Sequence, residues 1–318
     1  MTSSLVPFAA ALPVATVEAL ARHAHAARGA LADNTVRALR ADSAVFTAWC
    51  SSAGVSALPA EPEVVAAFVD AMAGSRAVAT LRRYVASVAH LHRAAELPDP
   101  SKAEVVKLAL RRKARAAGVR QRQAKGVTQV IANAMLDVLG DSAKDCRDRA
   151  LLLVGRDLLA RRSELAALNV GDIDNNDDGT ATAIIRRSKT DKEGAGAVRL
   201  LGPGAAAAVR GWLAKRGDVT PDAPLFVTLP RSGKSARLDH GDVARVLKSV
   251  AKRAGVEGAG DVSGHSMRVG MAQDLVGHGC DLAEVMQAGR WKSPAMVARY
   301  GENLLARRGA IARFYGLR

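Results

Sequence analysis

Apolar side chains recur at the spacing of amphipathic helices throughout the first third of the chain. Asn34 is a candidate N-cap for one helix, and Pro62 suits the first turn of a second. A third helix is predicted from about Val78 to Arg93, and Ser101 followed by Glu104 is a capping box that opens a fourth. The pattern predicts a compact domain built only of helices.

The rest of the chain is mainly helical as well, but it contains one clear β pattern. The stretch Thr180–Arg187 is β-branched and alternating, and Ala197–Leu201 can return against it after a glycine-containing segment. Helices are predicted at Thr128–Leu139 with Thr128 as the cap, Asp145–Leu158, Gly204–Arg216, Val243–Arg253, Ser266–Val276, Leu282–Ala288 and Pro294–Tyr300. We therefore expect a mainly α fold with a small antiparallel β-sheet.

A basic stretch lies between these two patterns. Residues 111–125 include seven Lys or Arg and no acidic residue. We interpret the later part as an interdomain linker, whereas residues 111–117 fit a solvated helix face equally well. The predicted domains are residues 1–118 and 127–318, joined by a basic linker over residues 119–126.

The charge of the whole chain points to a polyanionic partner. The chain has 46 Lys and Arg residues against 31 Asp and Glu residues, a formal net charge of +15 at pH 7. Such a field attracts polyanions, and nucleic acid is the commonest of these for a basic globular protein. The alternative is a basic protein that its charge merely keeps in solution.

Cysteine usage and the amino-terminal sequence bear on the compartment. The three cysteines are widely spaced and form no CxxC pair, which argues against a disulfide framework or a zinc site. The first 17 residues carry no charge, lack a basic n-region and are broken by Pro7 and Pro13, which argues against a signal peptide. No apolar run approaches the ~20 residues of a membrane helix. We expect a cytoplasmic protein without a metal or another cofactor.

Four short segments of the second domain carry residue types suited to phosphate chemistry. They are Leu158–Leu168 (LLARRSELAAL), Arg187–Thr190 (RSKT), Ser263–Gly270 (SGHSMRVG) and Met286–Pro294 (MQAGRWKSP), and Tyr300 comes nine residues after Trp291. In chain order they supply Arg161, Lys189, His265, Arg268, Trp291 and Tyr300. Each residue alone has an ordinary structural interpretation, but the ordered set is specific.

This order resembles the family of tyrosine site-specific recombinases, or integrases, and the wording of the last two segments resembles its Cre-like branch. PAEP at residues 59–62 and LHR at residues 91–93 extend the resemblance into the helical domain. The resemblance implies a helical core-binding domain and an α+β catalytic domain that form a C-shaped clamp. It also implies DNA cleavage and rejoining through a 3′-phosphotyrosyl intermediate and a Holliday junction, without ATP or metal.

The implied partners are double-stranded DNA with an inverted-repeat recombination site and further copies of the chain. The resemblance implies a dimer on each site, a tetramer in the synapse and no contact with a membrane. The amphipathic tail Ala310–Leu317 is too short to fold alone, and we expect it to dock on the next protomer.

The roles of the site residues follow from the charge that builds up on a phosphate during in-line displacement. Arg161 and Arg268 supply cationic forks for the non-bridging oxygens. His265, one turn before Arg268, can bind the same phosphate or exchange a proton with the nucleophile. Glu164 would orient the Arg161 guanidinium or His265. Trp291 offers an N–H donor and an apolar wall, without proton transfer.

Tyr300 is the predicted nucleophile, and a lysine on the hairpin tip is the predicted general acid. Of the other two tyrosines, Tyr84 lies among core positions and Tyr315 lies near the carboxyl terminus. Lys189 would protonate the departing 5′ oxygen, although Lys192 on the same loop is an alternative.

Two helices are predicted to face DNA outside the active site. One presents Arg82, Arg83 and Ser87, and the other presents Arg245, Lys248, Ser249 and Lys252. By resemblance, these helices enter the duplex from opposite sides. We hypothesise that Arg83 and Arg245 touch bases, but phosphate contacts or merely solvated side chains are equally consistent with the sequence.

Three rival functions share parts of this pattern. A type IB topoisomerase or a hairpin-telomere resolvase also uses a tyrosine with arginines and a lysine. A DNA-binding regulator with a catalytically inactive site is a rival of another class. The complete set from Arg161 to Tyr300 favours the enzyme.

Overall fold

The computed structural model describes residues 12–120, 123–186, 195–217, 219–230, 234–307 and 310–316. Within these ranges the chain forms fourteen α-helices and a three-stranded antiparallel sheet, so the predicted mainly α class with a small sheet is confirmed. The chain divides into two compact units, Met1–Gln121 and Arg122–Arg318.

The first unit is helical throughout its described residues. Its helices are α1 (Val14–Ala26), α2 (Asp33–Ala53), α3 (Pro62–Met72), α4 (Val78–Ala94) and α5 (Glu104–Ala117), with a 3-10 turn at Pro100–Lys102. Aromatic rings fill the core: Phe68 meets Phe46 edge-on with ring centroids 5.1 Å apart and lies 5.8 Å from the Tyr84 ring. Tyr84 is buried, as its helical position predicts.

Two predicted helix starts in this unit are wrong. Helix α2 begins at Asp33, one residue before the predicted cap Asn34. Ser101 does not cap α5, because it lies in the 3-10 turn, where its backbone N and Oγ donate to Asp99 Oδ1 at 3.0 and 2.6 Å. A carboxylate two residues upstream therefore takes the hydroxyl that the capping box needs.

Helix α5 settles the two interpretations of residues 111–117. The helix continues through Ala117, so these residues form a helix face rather than a linker. Arg112 on this face pairs with Asp70 of α3 at 2.7 Å, and Arg111 pairs with Glu104 at 3.1 Å. Both pairs are exposed and contribute little to stability.

The second unit combines helices with the small sheet. Its elements are α6 (Gln129–Asp137), α7 (Ala143–Asp157), α8 (Arg162–Ala167), β1 (Ile173–Asn175), β2 (Ala181–Ile185), β3 (Ala197–Leu201), α9 (Pro203–Arg216), α10 (His240–Arg253), α11 (Ser266–Gly277), α12 (Leu282–Gly289), α13 (Pro294–Arg307) and α14 (Ala310–Phe314). The predicted β2–β3 hairpin is present, with Ala181 opposite Leu201 and Ile185 opposite Ala197. Strand β1 was not predicted, because three residues are too few to show alternation.

Helix α7 is the centre of this unit. Leu151 and Leu158 are buried in a core that also contains Trp212 of α9 and Phe226. Helix α7 also packs against α11, and α11 packs against α12 and α13. The segments that carry Arg161, Arg268, Trp291 and Tyr300 therefore meet around α11.

Candidate active site

Arg161 is fixed at the point where α7 gives way to α8. Leu159 adopts a left-handed conformation with φ of 43°, which ends α7 and turns the chain. Arg161 then precedes α8, and its backbone N donates to Glu164 Oε2 at 2.9 Å. Its Nη1 donates to Glu164 Oε1 at 2.6 Å. Glu164 thus holds both the backbone and the side chain of Arg161.

Glu164 also holds a second guanidinium, which sequence reasoning missed. Arg290 Nη2 donates to Glu164 Oε2 at 2.8 Å, and the Arg290 side chain is only 10% exposed. Arg290 follows α12 and has φ of 55°. The one signal in the sequence was that Arg290 directly precedes Trp291 in the fourth segment.

Arg268 connects three segments of the site. It lies in the first turn of α11 and is 1% exposed. Its Nη1 donates to the carbonyl oxygen of Leu159 at 2.6 Å, and its Nη2 donates to the carbonyl oxygen of Gly289. The Trp291 ring covers the guanidinium, with 4.1 Å between Cζ and the ring centroid. This cation–π contact and the two carbonyls compensate for the burial of the charge.

Gly289 makes room for this stacking. A Cβ atom at residue 289 would lie 1.9 Å from Cζ3 of Trp291. Real atoms do not approach so closely, so any larger residue would displace the indole from Arg268. The glycine in the MQAG segment is therefore required by packing rather than by backbone conformation.

Tyr300 meets His265 in the same pocket. The Tyr300 Oη and His265 Nε2 atoms are 2.9 Å apart, and the Tyr300 and Trp291 ring centroids are 5.7 Å apart. Tyr300 lies on α13 and is 5% exposed, whereas His265 immediately precedes α11. Helices α11 and α13 thus place a base within hydrogen-bond distance of the predicted nucleophile.

The charges around this pair set its proton affinities. Burial, then the positive charges of Arg268 and Arg161, lowers the pKa of His265 below its usual 6.5. Burial raises the pKa of Tyr300, although Arg268 opposes the shift. At neutral pH the pair is therefore a neutral phenol beside a neutral imidazole, and in the tautomer that carries its proton on Nδ1 the imidazole can accept the phenolic proton at Nε2.

Arg268 keeps its charge despite its burial. Burial and the nearby Arg161 and Arg290 lower the pKa of Arg268 to about 10, against the pull of Glu164 and Tyr300. A group with that pKa is still protonated at neutral pH. Arg161, Arg268 and Arg290 are therefore close enough to repel one another, as groups gathered at one anion site would be.

Helix α11 is anchored to the start of the second unit. Arg156 donates to Asp274 Oδ2 at 2.8 Å and to the carbonyl oxygen of Val127. The Val127 backbone N in turn donates to the carbonyl oxygen of Ser266 at 2.9 Å. These contacts fix the position of α11 relative to the segment before α6. They thereby fix the positions of His265 and Arg268 as well.

The remaining predicted site residues lie elsewhere. Lys189 and Lys192 are outside the described residues. On α10, all four residues that were predicted to face DNA are exposed: Arg245, Lys248, Ser249 and Lys252.

In the described part of the chain, no group of three or more His, Cys, Asp or Glu residues could hold a metal ion. None of the described helices is long and apolar enough to cross a membrane.

The structure corrects one member of the predicted DNA-facing set on α4. Arg82 and Arg83 are exposed, but Ser87 is buried. Ser87 Oγ donates to Asp42 Oδ2 at 2.9 Å, and Arg83 pairs with Asp42 Oδ1 at 3.0 Å. The prediction that Ser87 lies on the polar side is wrong, because a buried carboxylate on α2 gives this hydroxyl an interior partner.

A tyrosine beside a histidine, with arginines brought from separate segments of a mainly helical unit, defines the class of the tyrosine recombinases. Residues 125–306 match the phage integrase family, and the chain belongs to this family. It is 30% identical over 304 residues to recombinase Cre of Escherichia phage P1, covering 90% of this chain and 89% of Cre. It is 29% identical over 282 residues to an integrase/recombinase XerD homolog of Selenomonas ruminantium, covering 85% and 82%.

Solved structures with a similar fold are more distant in sequence. The XerH recombinase bound to a palindromic difH substrate has a TM-score of 0.64 at 16% identity, covering 89% of this chain and 80% of that one. A lambda integrase dimer bound to a COC′ core site has a TM-score of 0.59 at 15% identity, covering 90% and 76%. The matches to the phage integrase family and to Cre confirm the resemblance that the four segments indicated. They also confirm the predicted enzyme class.

Proposed function

We propose that this enzyme is a site-specific DNA recombinase that cleaves and rejoins strands through a covalent 3′-phosphotyrosyl bond at Tyr300. The observation that carries the proposal is the 2.9 Å contact between His265 Nε2 and Tyr300 Oη beside Arg268. A phenol on its own is a weak nucleophile at neutral pH, and an adjacent neutral imidazole removes that limit.

In the proposed cleavage step the phenolic oxygen attacks phosphorus while His265 accepts its proton. Arg161 and Arg268 stabilise the negative charge that develops on the non-bridging oxygens. The bond from phosphorus to the 5′ oxygen breaks, and Lys189 protonates the departing oxygen, with Lys192 as the alternative. The phosphotyrosyl bond retains the energy of the broken phosphodiester, so rejoining needs no ATP.

Rejoining on a partner duplex completes the exchange. The freed 5′-hydroxyl of the partner strand attacks the phosphorus of the phosphotyrosyl bond and gives its proton to Lys189. The bond from phosphorus to Tyr300 breaks, and the phenolic oxygen takes back its proton from His265. One such pair of exchanges produces a Holliday junction. The positive charge of the chain and the recombinase names of its relatives support DNA as the substrate, and an inverted-repeat site in that DNA is part of the same proposal. A dimer on each site and a tetramer in the synapse belong to the same proposal, and their stoichiometry can be read from gel shifts.

The pocket must open before a phosphate can enter. Tyr300 is 5% exposed and Arg268 is 1% exposed, and the Trp291 ring covers the guanidinium. A DNA backbone therefore reaches them only when Trp291 or helix α13 moves. We include this movement in the proposed cycle as the step that precedes cleavage.

The test first identifies a DNA site by selection: the enzyme is incubated with random-sequence duplexes, and the bound duplexes are recovered and sequenced. The selected sequence is then made as a series of duplexes that each carry a single nick at a different position in one strand. A nick just beyond the cleaved bond lets the short fragment diffuse away, which traps the covalent adduct. We expect a denaturant-resistant complex in which a label at the 5′ end of the cut strand stays with the protein.

Tyr300→Phe should lose this adduct and keep DNA binding, because only the attacking oxygen is removed. The matched control is Tyr315→Phe, which removes the hydroxyl of an exposed tyrosine and should leave the adduct unchanged. An adduct that survives Tyr300→Phe, or a wild-type chain that binds but never forms one, rejects the proposal. Strand exchange between two duplexes, rather than relaxation of one supercoiled circle, separates recombination from topoisomerase activity.

A further inference from the structure

Glu164 is a buried carboxylate shared by two guanidinium groups. Its Oε1 accepts from Arg161, its Oε2 accepts from Arg290, and its side chain is 3% exposed. The charges of Arg161 and Arg290 also act on Arg268. Among these four groups, three positive charges act with one negative charge, so their sum is two positive charges beside the proposed phosphate position.

Without Arg290, Glu164 would act against Arg161. A buried carboxylate requires a compensating positive charge. Among the described residues, Arg161 would then be the remaining hydrogen-bond partner of Glu164. The full carboxylate charge would fall on Arg161, and the sum would drop from two positive charges to one. Arg161 would bind Glu164 more tightly and the phosphate less tightly.

The backbone at Arg290 indicates that its side chain is needed. Residue 290 ends α12 with φ of 55° and ψ of 44°, a left-handed conformation that Gly or Asn adopts most easily. Nε and Nη1 have no hydrogen-bond partner among the described residues. Nη2 donates to Glu164 Oε2 at 2.8 Å and, over a longer 3.4 Å, to the carbonyl oxygen of Leu158, so the contact with Glu164 is the main interaction that justifies an arginine in this strained position.

We propose that Arg290 is a positioning residue that neutralises one side of Glu164, so that Arg161 is held in place and keeps its charge for the DNA phosphate. This inference rests on the proposed function, because it assigns Arg290 a part in the same cleavage step. Arg290 acts through Glu164 and does not itself touch the reacting atoms.

The first experiment compares Arg290→Gly and Arg290→Lys with the full-length wild-type enzyme, using single-turnover adduct formation on the nicked site. Glycine relieves the backbone conformation, so the variant should fold, as circular dichroism and urea unfolding will show. We expect Arg290→Gly to slow cleavage by roughly tenfold or more while DNA binding changes less, because a charge-assisted contact is lost. Lysine keeps the charge but not the fork, so its rate should fall between those of the wild type and Arg290→Gly.

A double-mutant cycle tests whether Arg290 acts through Glu164. In a Glu164→Ala chain, which has no carboxylate to neutralise, Arg290→Gly should cause no further loss of cleavage. An equal loss in both backgrounds would show that Arg290 acts elsewhere and would overturn the inference, as would full activity of Arg290→Gly alone. If Glu164→Ala does not fold, Glu164→Gln replaces it, and the effect of Arg290→Gly must then be clearly smaller than in the wild type.

Arg199 provides the matched control. It is also partly buried and its charge acts on Arg290, but its hydrogen bonds go to the carbonyl oxygens of Val198 and Gln287. Arg199→Met should have the same effect on cleavage with and without Glu164. Failure of the proposed function is distinguishable, because the wild-type enzyme would then form no Tyr300-dependent adduct at all.

Discussion

Two residues of the candidate site, Arg268 and Tyr300, are held by partners from distant segments. Arg268 is fixed by carbonyl oxygens of Leu159 and Gly289, and Tyr300 by His265. Such contacts set the geometry of the closed pocket before substrate arrives, so the reorganisation that the proposed reaction needs is the movement of Trp291 or α13 that admits the phosphate. The proposed reaction also depends on whether His265 can accept the proton of Tyr300. The pH dependence of cleavage tests this.

The rate of cleavage should fall in acid because His265 becomes protonated. Its pKa is lowered by burial and by Arg268, so the imidazole is neutral at pH 7 and becomes charged only as the pH falls below 6.5. A charged imidazole cannot accept the proton of Tyr300. We expect single-turnover adduct formation to decline in this range, measured between about pH 5 and 8.

His265→Gln is the control for this profile. Glutamine can still donate to a phosphate, but it does not titrate, so the variant should be slower and its rate should be flat across the acid range. The same acid decline in His265→Gln would assign the titration to another group. DNA binding is measured at each pH so that loss of binding is not mistaken for loss of chemistry.

Sequence patterns brought out the residue types of the candidate site but not their interior partners. Tyr300 could be chosen among three tyrosines because helical periodicity places Tyr84 in a core, where it is buried. Ser87 was misassigned, because a pattern counts serine as outward-facing and cannot see Asp42 on another helix. Arg290 was missed for the same reason, since Glu164 lies 126 residues away in the chain.

Helix α11 packs closely against the segment before α6, and this packing positions the residues of the candidate site that α11 carries. A Cβ atom on Gly270 would lie 2.0 Å from the carbonyl oxygen of Val127. Only glycine lets the backbone of α11 approach so closely. The Arg156 contacts with Val127 and Asp274 then hold the two segments together.

Gly270→Ala should destabilise the second unit, because the methyl group meets backbone that cannot move aside easily. We expect a loss of about 1–3 kcal/mol in the free energy of unfolding, measured by urea denaturation. Gly277→Ala on the same helix is the control, since a Cβ atom there meets nothing within 4 Å. It should be neutral or stabilise by up to about 1 kcal/mol. Equal effects of the two substitutions would contradict this account of α11.

Periodicity predicted most elements of the fold, and its failures have local causes. The β2–β3 hairpin was predictable, because its residues alternate between buried and less buried positions. The start of α5 was not, because Asp99 competes for the Ser101 hydroxyl. Helix ends depend on such single hydrogen bonds, which a pattern of apolar residues does not contain.

Both compact units of the chain have exposed basic residues. Arg83 of the first unit and Arg245 of the second have side chains 51% and 70% exposed. Each is paired with an acidic residue, Asp42 or Asp242, which limits the directions its guanidinium can take. A fixed fork suits base edges better than a freely moving one, so we infer that these two arginines read sequence.

If this inference holds, replacing either arginine should change which sequence is selected, not only how tightly DNA is bound. Selection from random duplexes is repeated with Arg83→Ala and Arg245→Ala, and each should lose the preference at one or two positions while the rest of the selected site is kept. Arg82→Ala is the comparison, because Arg82 is exposed beside Arg83 and is predicted to face DNA but not to touch bases, so its loss should weaken binding without changing the selected sequence. A contact to phosphate would instead weaken all sequences alike and reduce the salt dependence of binding. An unchanged selected site in both variants would therefore leave Arg83 and Arg245 as phosphate contacts, and sequence would have to be read by other residues.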